Sequence, residues 1–126
     1  MVKNLINRFN FFFKRRFDQN LILNANTHFV RARKNYESVK KLNDLEFKVF
    51  SQNGEDGIID YLIYSLNINK LKFVEIGVGD YTECNTRFLI NSYPFKGLLC
   101  DINSKLNDNL KYTFDTHRGS IKVFNN

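Results

Sequence analysis

The chain is poor in the residues that build metal sites, covalent frameworks and membrane spans. Its two cysteines, Cys84 and Cys100, lie far apart, and so do its two histidines, His28 and His117. That pattern excludes paired metal-ligand spacing and a disulfide framework. It also leaves too few ligands for zinc, so no metal is expected. A reducing cytoplasm is the expected address. No apolar run approaches the roughly 18 residues of a membrane span. No secretory leader is read either, because Arg8 and Asn10 interrupt the first apolar stretch and no small-residue cleavage site follows. Glycine is scarce as well: four of the six fall in two short turns, at 54, 57, 77 and 79. What remains is an ordinary soluble composition, 43% apolar and 25% charged over 126 residues. That length suits one modest domain but is short for a complete doubly wound enzyme.

The net charge of +6 is unevenly placed. Residues 1–50 hold 11 Lys/Arg against 4 Asp/Glu, and residues 51–126 hold 8 against 9. The asymmetry divides the chain into a basic helical segment, 1–46, and a near-neutral remainder, 47–126. Over residues 3–17, Leu5, Ile6, Phe9, Phe12 and Phe13 fall on one helical stripe, flanked by Lys3, Arg8, Lys14, Arg15 and Arg16. Such a helix can lie on an anionic membrane surface. The preferred expectation is that it packs its phenylalanines onto its own domain or a partner. A second helix is expected from Thr27 as N-cap, with Phe29, Ala32, Tyr36 and Val39 facing inward. No aromatic residues alternate with its charges as a base-stacking platform requires, so no nucleic acid is expected. Asn43 and Asp44 close it, and Leu45, Phe47 and Val49 alternate as an extended piece.

The first glycine turn is Ser51-Gln52-Asn53-Gly54-Glu55-Asp56-Gly57. Ser51 or Asn53 can cap a helix whose first turn holds Glu55 and Asp56, where the dipole favours anions. Ile58, Ile59, Leu62, Ile63 and Leu66 form its expected buried stripe. Two glycines at a helix start cost about 1 kcal/mol each, which points to close approach of backbone or of a ligand.

The second turn follows Phe73-Val74-Glu75-Ile76, an apolar run that reads as a buried parallel strand. Gly77 and Gly79 then let the backbone turn sharply and approach a ligand. A helix begins at Thr82 or Asn85 with Phe88 and Leu89 inward, and Pro94, the chain's only proline, marks its stop. Gly97-Leu98-Leu99-Cys100-Asp101 is a second strand ending in a carboxylate. Asn103 or Ser104 can cap a short helix carrying Leu106 and Leu110, residues 116–120 form a loop, and Ile121 to Phe124 open a third strand. This alternation predicts a right-handed parallel sheet in the order 3-2-1, with ligands at the carboxyl ends of the strands.

The site chemistry rests on acids. Asp101, at the tip of the second strand, can accept hydrogen bonds from both ribose hydroxyls of an adenosine cofactor, in preference to merely capping the next helix. A dinucleotide fingerprint would place a third glycine where Thr82 stands. Glu75 beside a pyrophosphate would repel it, whereas Glu75 and Asp80 suit the sulfonium and ammonium of S-adenosyl-L-methionine.

These residues together resemble a known family. Ser51 to Ile59, then Phe73 to Asp80, then Asn85-Thr86 with Leu89, then Gly97 to Asn103 are similar to the FkbM-type methyltransferases over about residues 47–126. The resemblance implies an S-adenosyl-L-methionine-dependent O-methyltransferase with a Rossmann-like class I sheet, acting on a sugar or other small-molecule hydroxyl. It implies that Glu75, Gly77 and Gly79 line the methionine side with Asp80 nearby, that Asp101 holds the ribose, and that Gln52, Glu55 and Asp56 lie near the cofactor mouth. Tyr81 departs from it, standing where a small residue is common, so that its ring either crowds the cofactor or leans outward. The class I sheet has about seven strands and this sequence supplies three. The expectation is therefore a truncated or partial form, with its acceptor pocket and catalytic base not identifiable, or one that needs an oligomer or a further half. The alternative is a non-enzymatic module that binds a membrane surface or partner through its basic N-terminal helices.

Overall fold

The computed structural model describes residues 2–103, 106, 110 and 118–124 (the backbone alone for 2–4, 7 and 8). Helix α1 runs from Val2 to Ala32, followed by 3-10 turns at Arg33–Ser38 and Leu42–Leu45. Then come α2 (Glu55–Ser65), β1 (Leu71–Ile76), α3 (Arg87–Ser92), β2 (Phe95–Cys100) and β3 (Gly119–Phe124).

The two expected N-terminal helices are one. Residues 2–32 contain neither glycine nor proline to break the pattern. Thr27, expected to cap a new helix, lies inside α1 and donates its hydroxyl to the Leu23 carbonyl, one turn back, at 3.0 Å. The change of geometry comes later, where the chain tightens into the 3-10 turn and brings Tyr36 into the interior. The expected extended piece at Leu45–Val49 is likewise not a strand. Phe47 N–H donates to Gly54 O at 3.0 Å, and Gly57 N–H donates to Phe47 O at 3.2 Å, so this segment is laced to the start of α2.

On α2 the buried face is Asp56, Gly57, Asp60 and Ile63, whereas Leu62 and Leu66 of the expected stripe are exposed. An apolar count misplaces this face because its two aspartates are fully hydrogen-bonded into the interior or clamped on backbone. The N-cap is Gly54 in the left-handed region at φ 96°, neither Ser51 nor Asn53.

The sheet is parallel throughout, in the order β1-β2-β3, which is the expected 3-2-1 arrangement. Leu71 stands opposite Phe95 and Ile76 opposite Cys100, and Cys100 in turn opposes Phe124. The strand tips therefore align, and the turns leaving β1 and β2 emerge side by side. One core gathers Ala25 and Phe29 of α1, Ile63 of α2, Phe88 of α3 and Leu71, Phe95 and Leu99 of the sheet. Fully burying such side chains is worth about 1.5–3 kcal/mol each. Leu106 and Leu110 are helical and buried in that core as expected; Ser104 and residues 116 and 117 of the expected loop lie outside the described residues, and its Gly119 and Ser120 belong to β3.

All these helices draw onto one face of the sheet. On the other, Val74, Ile76 and Phe124 are 62%, 79% and 62% exposed. The first strand is thus buried on one face only, a correction to the buried strand expected from its apolar run. The N-terminal segment also has no core of its own, since Ala25 and Phe29 share that of residues 47–124. Among the described residues, no helix is long and apolar enough to cross a membrane.

Candidate cofactor site

The two glycine turns are built differently. In the first, a Cβ on Gly57 would stand 1.9 Å from the Leu45 carbonyl oxygen, and one on Gly54 would stand 3.1 Å from Glu46 Cβ. The segment 45–47 crosses directly over α2, so Gly57 serves backbone approach, while Gly54 serves the left-handed N-cap conformation at φ 96° as well. Asp56 is 1% exposed, and its Oδ2 accepts three backbone N–H groups, from Val49 (2.8 Å), Phe50 (2.7 Å) and Ser51 (2.8 Å). Ser51 Oγ accepts in return from Asp56 N–H at 3.1 Å. This is the reciprocal logic of a helix cap, turned into a clamp on the preceding loop. Asp56 Oδ1 is buried and has no hydrogen-bond partner among the described residues. Asp56 is sealed from any bound molecule, which corrects its expected place at a cofactor mouth. Glu55 folds back on Asn53, accepting from its backbone N–H at 2.8 Å and its side-chain amide at 3.3 Å. Backbone hydrogen bonds hold its carboxyl below the usual range. Gln52 is exposed, its carbonyl accepting from Lys48 Nζ, which also reaches Glu83 at 3.2 Å and so ties this loop to the one after β1.

The second turn is open. Gly77 and Gly79 have φ values of 76° and 57°, in the region that favours glycine, and a Cβ on either would meet nothing within 4 Å. Gly77 N–H donates to Cys100 O at 2.9 Å, carrying the β1–β2 ladder one step past the strand. Beside it, Asp101 and Asn103 grip Gly79 from both sides. Asp101 Oδ2 accepts from Gly79 N–H at 2.6 Å, and Asn103 Nδ2 donates to Gly79 O at 3.3 Å. Asp101 Oδ1 accepts from Asn103 N–H at 2.7 Å, the local contact expected of a carboxylate that shapes the next turn. Each oxygen of this half-buried carboxylate keeps a further acceptor position.

Glu75 points along the covered face toward α3. Its Oε1 accepts from Asn85 N–H (2.9 Å), and its Oε2 from Thr86 N–H (3.2 Å) and Thr86 Oγ (2.5 Å). Thr86 is the N-cap of α3 without a side-chain cap bond of its own. The strand carboxylate caps the helix instead, satisfying donors that would otherwise be orphaned. Because Thr86 spends its one proton on Glu75, Tyr81 OH donates to Thr86 Oγ across 2.8 Å. Tyr81 has φ 65° and is 1% exposed. It neither crowds a ligand nor leans outward, as expected for this position, but anchors the turn in the core. Burial pushes its phenol well above the usual range, and a left-handed non-glycine backbone is held there by that anchorage. Asp80 is exposed and accepts from Thr82 N–H and Oγ at 3.0 and 2.5 Å. The Thr82 hydroxyl, chiefly, holds its carboxyl below the usual range, and Lys14 of α1 adds to this.

Cys84 is buried and donates to Val78 O at 3.2 Å, and burial pushes its thiol up to about 12. Among the described residues, no three His, Cys, Asp or Glu side chains gather as metal ligands.

Two ionic clusters, each with one buried member, stand apart from the expected site residues. Asp60 is fully buried and pairs with Arg33 Nε (3.1 Å) and Nη2, while accepting from Tyr36 OH (2.9 Å) and Tyr93 OH (2.8 Å). Arg87 donates to Thr82 O and to Asp18, each at 2.6 Å, with its guanidinium 4.1 Å from the centre of the Phe50 ring. The first joins the continuation of α1 to α2, and the second joins α1 to α3. The sequence signal for the first is the spacing of Asp56 and Asp60, one turn apart on the face of α2 that also holds Ile63.

Comparison with protein-family models, with curated proteins and with solved structures gave no match for this chain.

Proposed function

We propose that this chain carries the cofactor-binding part of an S-adenosyl-L-methionine-dependent methyltransferase, with a sugar or other small-molecule hydroxyl as acceptor. The observation that carries the proposal is the open turn at the tip of β1. Gly77 and Gly79 leave clear the space where side chains would stand, directly beside the Asp101 carboxylate at the tip of β2. That pairing, at the carboxyl ends of adjacent parallel strands, is where an open α/β sheet receives ligands.

The residues present fit such a group. Gly77 and Gly79 would admit it to the backbone, Asp101 would offer its remaining acceptor positions to the ribose, and Asp80 would face a cationic methionine end. When bound, S-adenosyl-L-methionine supplies an electrophilic methyl group. The chain's own contribution is to position it, since methyl transfer is accelerated chiefly by holding donor and acceptor in line. Glu75 contributes indirectly: as the cap of α3 it fixes the wall behind the turn. Its negative charge, with that of Asp80, selects against a pyrophosphate.

A second reading has its own observation. Glu75 and the Oδ2 of Asp56 hold backbone N–H groups, of Asn85 and Thr86 and of Val49 to Ser51, as a non-enzymatic domain would use them. Calorimetric titration of the purified chain with S-adenosylhomocysteine and, separately, with NAD separates the two. The methyltransferase reading expects saturable binding of the first that persists at high salt, and none of the second. Absence of binding for both would support the non-enzymatic reading.

A further inference from the structure

Four phenylalanines at the start of α1, Phe9, Phe12, Phe13 and Phe17, do not pack on the domain, whereas Phe11 on the opposite side is half-buried. At 100° per residue, Asp18, Ala25 and Phe29, which bind the domain, lie on one side of the helix, and Leu5, Phe9, Phe12, Phe13 and Phe17 centre about 180° away from them. Phe9, Phe12, Phe13 and Phe17 are 63%, 53%, 55% and 64% exposed, and Leu5 and Ile6 extend the same stripe. The rings form a continuous patch, with Phe9 and Phe13 centroids 4.6 Å apart and Phe12 and Phe13 6.1 Å apart. Arg16 lies over the Phe12 ring at 5.3 Å, and Lys14 and Arg15 follow on either side. Residues 1–17 hold five Lys/Arg and no acid. Asp18 is held by Arg87, and Asp80 by Thr82 with Lys14 also acting on it.

We propose that the first half of α1 docks the protein on an anionic lipid surface, lying flat with its phenylalanines toward the acyl chains and its cations at the headgroups. A contiguous exposed apolar face rimmed by cations has this complement. Residues 3–17 span about 22 Å along the helix, enough to lie in the interface. Long Lys and Arg side chains keep their charges at the headgroups while their stems follow the apolar face. A second copy of the chain is the poorer occupant, because pairing the same stripes would bring two acid-free, fivefold-basic segments together. A nucleic acid is poorer still, since Leu5 and Ile6 share the stripe and offer nothing for bases to stack on. The proposal is independent of the methyltransferase reading.

The test is sedimentation of the full chain with phosphatidylcholine vesicles, with and without phosphatidylserine. Binding is expected to require phosphatidylserine and to weaken with added salt. The triple variant Lys14→Gln/Arg15→Gln/Arg16→Gln should bind about 100-fold more weakly, as three cations lost near an anionic leaflet imply. Phe12→Ser/Phe13→Ser should bind at least about 10-fold more weakly while keeping the wild-type unfolding transition, because both rings are exposed. No sedimentation with phosphatidylserine vesicles would overturn the proposal. So would unchanged binding by the phenylalanine variant, or a concentration-dependent dimer, abolished by that variant, in place of vesicle binding.

Discussion

The turns at 51–57 and 77–81 are alike in composition and opposite in construction. Both combine two glycines with acids ahead of a helix, and both invite a ligand reading. In the first, a single added methyl on Gly57 would collide with a carbonyl at 1.9 Å, and the acid is buried beneath three backbone N–H groups. In the second, an added methyl meets nothing, and the acid of the neighbouring strand holds Gly79 with acceptor positions to spare. Glycine at a turn therefore has two distinct causes, crowding at Gly57 and conformation at Gly54, Gly77 and Gly79. Only at Gly77 and Gly79 is the space beside the glycine open.

The largest effect that would sharpen this contrast is on Asp56. Asp56→Ala strands three buried donors and should lower unfolding stability by roughly 4 kcal/mol or more, measured by urea denaturation. Asp56→Asn keeps an acceptor and should lose less. A loss under about 1 kcal/mol for the alanine variant would mean that the clamp is not holding the loop. Next come the glycines themselves. Gly57→Ala forces backbone apart and should cost roughly 3 kcal/mol. Gly77→Ala meets only the strain of its positive φ, about 1–2 kcal/mol, and should act mainly on cofactor affinity. Equal stability losses with no change in affinity would erase the distinction between the two turns.

Smaller effects should appear at the pH extremes. Burial pushes Tyr93 from 10 up to about 12 and raises Tyr81 further. Folding thus favours the neutral phenols. The stability they contribute is complete below pH 10 and is lost as pH rises through 12. Tyr81→Phe should flatten that alkaline fall in a urea midpoint series, and an unchanged slope would count against Tyr81 as the anchor of the open turn. Smallest is the acid side. Asp80 is held below its usual range chiefly by Thr82, so its contribution is present above that range and fades as pH falls through its lowered value. Thr82→Ala should shift the acid midpoint only slightly, because the carboxylate is exposed.

The parallel sheet and its order were legible because short apolar runs alternate with helical stripes and each ends in turn residues. The tip residues Glu75, Gly77, Gly79 and Asp101 were legible for the same reason. Three things were not. The continuity of α1 through Thr27 was hidden, because a threonine is an N-cap signal unless its hydroxyl bonds the preceding turn. The buried face of α2 was misplaced because Asp56 and Asp60 count as polar until their partners, 5–33 residues away along the chain, are known. The fate of the phenylalanines was also hidden. Phe29 at one end of α1 is 1% exposed and Phe9 at the other is 63% exposed, and only the position of the sheet layer separates them.

Thermal unfolding with and without S-adenosylhomocysteine decides whether the open turn holds S-adenosyl-L-methionine. At a ligand concentration of about a hundred times the dissociation constant, binding adds about 2.7 kcal/mol and raises the transition by several degrees. Such a shift is expected in the wild type and in Gln52→Ala, and its loss in Gly77→Val and Asp101→Ala. A cooperative wild-type transition that does not move with ligand would contradict cofactor binding here, as would a shift that survives both substitutions at the turn.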